Sequence, residues 1–303
     1  MVRSPLRKKT ALVTGGTGYI GFYLIKKLLR DGWKVHALVP GFDDPKKLAG
    51  LSGRLSVHRY DGKTETVSKI LRRTHPDTVF HLAAKICVDH ESEDIEPTIE
   101  ANILLGTQLL EGMKREGVRD FINTGSFWQH FEGKSYDPVN LYAASKQAFE
   151  DILRFYTEAC GIRSITLKLF NVYGPADSRN KIIPLFEKYS KSGKLLTMSP
   201  GKQMMDLVYI DDVVKAFCHA AKLIKKLKGN KPENCYAVTS SRHIALRKVA
   251  AIYQKIAGRD LRIQWGGRPY RAREVMVPWK GKPLPGWRPA VTLEMGIRKI
   301  GGS

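Results

Sequence analysis

Three side chains in the middle of the chain are of the kinds that carbonyl reduction needs: the hydroxyl of Ser126, the phenol of Tyr142 and the ammonium of Lys146. Such a reduction takes a hydride donor, a proton donor at the carbonyl oxygen and a group that polarises the C=O bond. In Tyr142-Ala143-Ala144-Ser145-Lys146 the phenol and the ammonium are four residues apart, one turn apart on one helical face. A free phenol ionises near pH 10, and a cation beside it brings it toward the operating pH. The spacing alone says little, because Tyr23 and Lys27 share it and read as a surface pair on the first helix. Context separates the two pairs. Tyr142 and Lys146 lie downstream of the strand Phe121-Ile122-Asn123-Thr124, which delivers Gly125-Ser126 at its carboxyl end, where open α/β sheets bind ligands. Ser126 is therefore expected to orient and polarise the carbonyl, Tyr142 to transfer the proton, and Lys146 to tune Tyr142.

The hydride must come from a cofactor, and the place for one is Thr14-Gly15-Gly16-Thr17-Gly18-Tyr19-Ile20-Gly21. Gly16, Gly18 and Gly21 satisfy G-x-G-x-x-G, while Gly15, Gly18 and Gly21 satisfy G-x-x-G-x-x-G. Glycine suits such a turn because the turn is tight, the backbone must approach a pyrophosphate with no Cβ in the way, and the helix must pack closely on the strand. The helix then offers free N–H donors and a favourable dipole. Gly15, Thr17, Gly18, Tyr19 and Ile20 are the expected dinucleotide contacts, with Lys146 also holding the nicotinamide ribose. Sites that prefer NAD usually end the second strand with a carboxylate on the ribose 2′-hydroxyl. Here Val39-Pro40 stand at that point, and Lys46 and Lys47 follow. This favours NADPH, while Asp43 and Asp44 leave NAD open. Asp61, after the third strand, is expected to receive the adenine amino group, or else to be a plain turn residue.

Elements that could position these groups alternate regularly. Strands are expected at 10–13, 34–39, 57–60, 78–82, 120–124 and 164–169, and helices at 19–29, 66–73, about 97–116 and 141–160. The implied fold class is α/β: a doubly wound, mainly parallel Rossmann sheet with a smaller mixed substrate-binding region. Residues 1–172 form the dinucleotide-binding part, 205–240 return to it with 207–223 rejoining the main sheet, and 173–204 with 241–300 form the substrate region. Residues 301–303 read as a flexible tail.

The length of 303 residues and 43% hydrophobic content allow a sizeable core. Four scattered cysteines, without a C-x-x-C pair or histidines at ligand spacing, suggest neither disulfides nor a metal, and fit a cytoplasmic location. No apolar run approaches membrane-spanning length, and the basic start makes a poor signal peptide. The net charge of +22 attracts polyanions. The basic residues are nevertheless spread over helix faces, as at Lys26, Lys27 and Arg30 or Lys222, Lys225 and Lys226, so nucleic acid is not the expected partner.

Taken together, TGGTGYIG at 14–21, HLAA at 81–84, the Asn102 helix, NTGS at 123–126, YAASK at 142–146, NVYGP at 171–175 and DLVYIDDV at 206–213 closely resemble the extended short-chain dehydrogenase/reductase family, also called the NAD-dependent epimerase/dehydratase family. Within it the chain is most similar to the group of CDP-abequose and CDP-paratose synthases, which reduce the 4-keto group of CDP-linked dideoxyhexoses. The resemblance implies further cofactor contacts at Leu82, Ala83, Ala84, Asn102 and Tyr142. It implies substrate contacts at Lys85, Asn171, Lys181 and Arg271, a nucleotide-diphosphate sugar as substrate, and a homodimer built on the 97–116 and 141–160 helices. The family commonly has arginine before Asp206, where Met205 stands here; Arg271, with Arg179, Lys181 or Lys202, is then left to bind the diphosphate.

The family's 4,6-dehydratases follow the active hydroxyl with an Asp-Glu pair, the separate acid and base that water elimination needs. Here Phe127-Trp128-Gln129 follow, which argues against dehydration and suggests a site shaped for a deoxysugar, with Phe127 as a wall. His130 reads as an incidental loop residue. The expected activity is NADPH-dependent 4-ketoreduction. A nucleotide-sugar 4-epimerase with tightly held NAD is the alternative, and a dinucleotide-sensing binding protein is the alternative of another class.

Overall fold

The structure is a computed structural model, and it describes residues 8–51, 53–227 and 234–301. The chain opens with β1 (Thr10–Thr14), α1 (Tyr19–Arg30), β2 (Lys34–Pro40), β3 (Leu55–Tyr60), α2 (Thr64–Thr74) and β4 (Thr78–His81). There follow α3 (Ile95–Ile99), a π-helical turn (Glu100–Leu104), α4 (Leu105–Glu116), β5 (Asp120–Ser126), α5 (Leu141–Ala159), β6 (Arg163–Leu169) and β7 (Asn171–Tyr173). The remainder is α6 (Ile182–Ser192), β8 (Leu196–Met198), β9 (Met204–Tyr209), α7 (Ile210–Leu223), β10 (Cys235–Val238), β11 (His243–Ala245), α8 (Leu246–Ala257), β12 (Ile263–Trp265) and α9 (Leu293–Gly301).

Seven strands form one sheet in the order β10-β6-β5-β4-β1-β2-β3. The pairs β1–β2, β1–β4, β2–β3 and β4–β5 are parallel. Every residue of β4 and β5 is buried, as strands covered by helices on both faces require. This is the doubly wound sheet the alternation implied. The smaller sheets are β11-β9-β7, with one antiparallel and one parallel pairing, and the parallel pair β12-β8.

Two expectations need correction. Of the segment at 207–223, the part from Val214 groups with the unit of the main sheet, but its strand does not join that sheet. Its strand β9 pairs with β7 and β11 in the mixed sheet, Asn171 tying β7 to the Asp206 carbonyl at 3.2 Å, while the unforeseen β10 takes the edge beside β6. Gly301, counted with the tail, closes α9, while 302–303 lie outside the described residues.

By their contacts the described residues group into two compact units, one within Met1–Gly125, Ala144–Leu167 and Val214–Cys235, the other within Ser126–Ala143, Lys168–Val213 and Tyr236–Ser303. In the first, Leu12, Val79, Leu109, Phe121 and Phe149 belong to one buried apolar cluster. Phe149 fills the space over Gly106, where an added Cβ would stand 2.3 Å from its ring. Truncating so enclosed a phenylalanine costs about 3–5 kcal/mol. The packing thereby fixes the stretch of α5 that carries Lys146.

Candidate active site

The glycine turn is built by close approach. Gly15 has φ +69°, and a Cβ there would lie 2.7 Å from the Ala83 nitrogen and 2.8 Å from the Leu82 carbonyl carbon. At Gly21 a Cβ would come within 2.1 Å of the Gly15 carbonyl oxygen. Gly18 is different: it is exposed, and only the Gly15 oxygen, at 3.2 Å, lies near its Cβ direction. Its glycine therefore keeps a surface open, and α1 starts there with no side-chain cap and no acidic residue in its first turn. A helix start without a side-chain cap, beside an open glycine surface, suits a pyrophosphate. Thr17, Tyr19 and Ile20 are all half-buried at this turn.

Thr14 and Asn102 lock the neighbouring strand end. The Thr14 hydroxyl accepts from the nitrogens of Leu82 (3.2 Å) and Ala83 (3.1 Å) and lies 2.9 Å from His81 Nδ1. With two N–H groups already donated to it, the hydroxyl gives its own hydrogen to the imidazole. Burial, and then the charge of Lys146, push His81 down to about 3, so the ring is neutral. Asn102, in the π turn, accepts from the Lys85 nitrogen at 2.8 Å and donates to the Lys85 carbonyl at 3.0 Å and to the Ser145 hydroxyl at 2.8 Å. Both its amide hydrogens are thereby used in joining the 82–85 segment to α5. Ala84 is half-buried beside it. The Lys85 ammonium, expected at a substrate, is paired with Asp94 at 3.1 Å. Asp61 is exposed and accepts from the Lys63 nitrogen at 3.1 Å.

Lys146 is 2% exposed, and its Nζ has no hydrogen-bond partner among the described residues. Burial pulls its ammonium down to about 8, against the opposing charge of Glu150. An unpartnered buried ammonium calls for an acceptor, and the ribose hydroxyls of a dinucleotide supply one. The residues present therefore fit such a cofactor. The decoy pair separates cleanly, since Lys27 is engaged by Asp31 on the surface.

In the second unit Ser126 and Tyr142 meet. The Ser126 hydroxyl hydrogen-bonds the phenol, while burial pushes Tyr142 up to about 12. Ser126 is held by a capping box: its hydroxyl accepts from the Trp128 nitrogen at 3.3 Å, and Gln129 Oε1 accepts from the Ser126 nitrogen at 2.9 Å. The resulting turn, Phe127–Gln129, divides the two aromatic residues. Phe127, expected as a wall of the substrate site, is buried and stacked on Phe170 at 4.9 Å. Trp128 instead meets Tyr142 edge-on at 6.2 Å and carries Lys181 Nζ 5.6 Å from its ring centre. The Ser126-x-x-Gln129 spacing is the signal in the sequence from which this turn could have been read.

Among the basic residues, Lys181 sits at the start of α6 and is lowered from the usual lysine range, first by burial and then by the charge of Arg179, with Arg271 adding to it. Arg179 is spent on Asp177, at 2.7 and 2.8 Å, and on the Val172 carbonyl at 2.9 Å. Asn171 serves the β7–β9 junction through its amide. His130, read as incidental, is buried and stacks on Trp279 at 3.9 Å. Its Nε2 accepts from Lys168 at 2.7 Å, so Nδ1 is the nitrogen that donates to the Lys134 carbonyl at 3.0 Å. Burial and Lys168 together push it down to about 4.

With this geometry in view, the similarities to known proteins are consistent. Residues 11–235 match the model of the NAD dependent epimerase/dehydratase family. The chain is 28% identical to CDP-abequose synthase of Salmonella muenchen over 298 residues, 96% of this chain and 97% of that one. It is also 28% identical to UDP-glucose 4-epimerase of Mycolicibacterium smegmatis over 229 residues, 69% of this chain and 72% of that one. Among solved structures, UDP-glucose 4-epimerase of Thermus thermophilus in complex with NAD superposes with a TM-score of 0.81 at 27% identity, covering 97% of this chain and 98% of that one. The glycine turn, the Ser126–Tyr142 contact, the buried Lys146 and the family match agree: the chain belongs to the NAD dependent epimerase/dehydratase family of nucleotide-sugar enzymes.

Proposed function

We propose that the chain reduces the 4-keto group of a nucleotide-linked deoxy- or dideoxysugar. The observation that carries this reading is the hydrogen-bonded pair Ser126–Tyr142, followed not by a carboxylate pair but by Phe127-Trp128-Gln129. A phenol that burial holds in its protonated form is a proton donor, and Ser126 is set to fix the oxygen that receives the proton. Lys146 would hold the cofactor's ribose and, as a cation, ease loss of the phenolic proton. A reduced nicotinamide dinucleotide, when bound, supplies the hydride. Lys181 and Arg271 would receive the diphosphate, with Trp128 between Lys181 and Tyr142. The likeness to CDP-abequose synthase over almost the whole length supports reduction and a CDP-linked substrate.

The second reading, 4-epimerisation, is supported by the likeness to the Thermus epimerase that binds NAD. The two are separated with the purified chain, a CDP-linked 4-keto-6-deoxyhexose and either NADH or NADPH. Reduction consumes one dinucleotide per sugar, read as loss of the nicotinamide absorbance. A dinucleotide that stays on the protein through gel filtration, together with no net consumption, would sink the reductase and leave the epimerase.

A further inference from the structure

The second strand ends without a carboxylate at Val39, yet one arrives four residues later by another route. Thr17, the central hydroxyl residue of the glycine turn, donates to Asp43 Oδ2 at 2.5 Å. This bond brings a carboxylate from the loop after β2 to the turn itself. The loop is held in that position. Arg59, on the adjacent β3, donates through one guanidinium nitrogen to the carbonyls of Pro40 (3.2 Å), Gly41 (3.2 Å) and Asp43 (2.7 Å). The Gly41 nitrogen donates to the Tyr60 carbonyl at 3.1 Å, and the Asp43 nitrogen donates to the Pro40 carbonyl at 3.2 Å. On its far side the Asp44 carboxylate accepts from the Lys46 nitrogen at 2.9 Å and starts a short 3-10 turn anchored by the buried Leu48. Lys46 and Lys47, the candidates for receiving a 2′-phosphate, are exposed.

We infer that Asp43 is the residue that selects the dinucleotide: it receives the hydroxyls of the adenosine ribose and rejects a ribose that carries a 2′-phosphate, so the chain prefers NAD(H) to NADP(H). The inference rests on the dinucleotide part of the reading above and not on the identity of the sugar. In a Rossmann unit the adenosine ribose lies between the glycine turn and the end of the second strand, the interval that the Thr17–Asp43 bond spans. A carboxylate only accepts hydrogen bonds, so it matches a diol. It opposes a phosphate monoester of nearly two negative charges. Selectivity then has both an attractive and a repulsive part. Thr17 is the positioning residue, and Arg59 keeps the loop from swinging away.

The test is binding without any sugar. The purified chain is titrated with NADH and with NADPH and followed by nicotinamide fluorescence, beside Asp43→Asn. A carboxylate–diol contact supports a preference of about tenfold or more for NADH, and Asp43→Asn should erase most of it by weakening NADH and strengthening NADPH. The inference is overturned if the wild-type chain binds NADPH as tightly as NADH, the result expected if Arg59, Lys46 and Lys47 govern the site. It is equally overturned if a folded Asp43→Asn keeps the wild-type ratio. Should that variant fail to fold, ADP-ribose and its 2′-phosphorylated form compete for the wild-type site, and equal or reversed affinities overturn the inference. Binding of neither dinucleotide removes this inference and the dinucleotide reading together. Loss of ketosugar reduction with NADH selectivity intact removes only the proposed sugar chemistry.

Discussion

Lys146 enters its site charged, enclosed and without a partner of its own, so its protonation governs what it can hold. Burial places that change at about 8: the ammonium is present below this pH and lost as the pH rises through it. Dinucleotide affinity should therefore fall by about tenfold or more between pH 7 and pH 9.5, the worth of a charge-assisted hydrogen bond. In Lys146→Met the affinity should sit at the lower level throughout. Titrations across that range check it, and a sloping profile in the variant would exclude Lys146 as the source. Tyr142→Phe acts on the other half of the reaction. It should lower turnover about 10²- to 10⁴-fold, the usual share of one general acid, while dinucleotide affinity stays near wild type. A rate close to wild type would move the proton donor elsewhere.

At the scale of elements, the parallel sheet was legible because short strand-like segments such as Ala11-Leu12-Val13 alternate regularly with helices that carry clear stripes, as in Leu24, Ile25, Leu28 and Leu29 of α1. Which sheet a strand joins is another matter. Leu207-Val208-Tyr209 reads as buried under either pairing, and only the partners β7 and β11 decide it. The four-residue β10, no shorter than β4, takes its place at the edge only through its pairing with β6. In the site, the glycine turn and the Tyr142–Lys146 spacing were visible as local motifs. The stacking of Phe127 on Phe170, and the burial of His130 against Lys168, depend on neighbours far along the chain.

The edge of the main sheet holds another such pairing: His36 Nδ1 lies 2.9 Å from His58 Nε2, and His58 Nδ1 lies 2.9 Å from an Arg73 guanidinium nitrogen. Burial first, then His58, Lys34 and Arg73, push His36 down to about 4. A histidine lowered in the folded state stabilises above its unfolded value of about 6.5, and that contribution is lost as the pH falls toward 4. For His36 this amounts to at most about 3 kcal/mol. Chemical denaturation should show a falling limb between pH 6.5 and 4 that is shallower in His36→Gln. An unchanged limb would assign acid sensitivity to other groups.

Over the whole molecule the net charge of +22 works against compaction. Salt screens such repulsion, and raising sodium chloride from about 20 to about 300 mM should lift the melting temperature by about 3 °C. A fall instead would mean that ion pairs such as Arg163–Asp120 outweigh the repulsion. Among the described residues no helix is long and apolar enough to cross a membrane. The π turn at Glu100–Leu104 bears on how the chain tolerates length changes. Such a turn is in effect an α-helix with one residue inserted. An in-frame deletion of a single codon there would restore regular winding and remove the bulge that presents Asn102. Asn102 would then lose its hold on Lys85 and Ser145. The extra residue is thus a constraint on length: at this turn the number of residues matters as much as their identity.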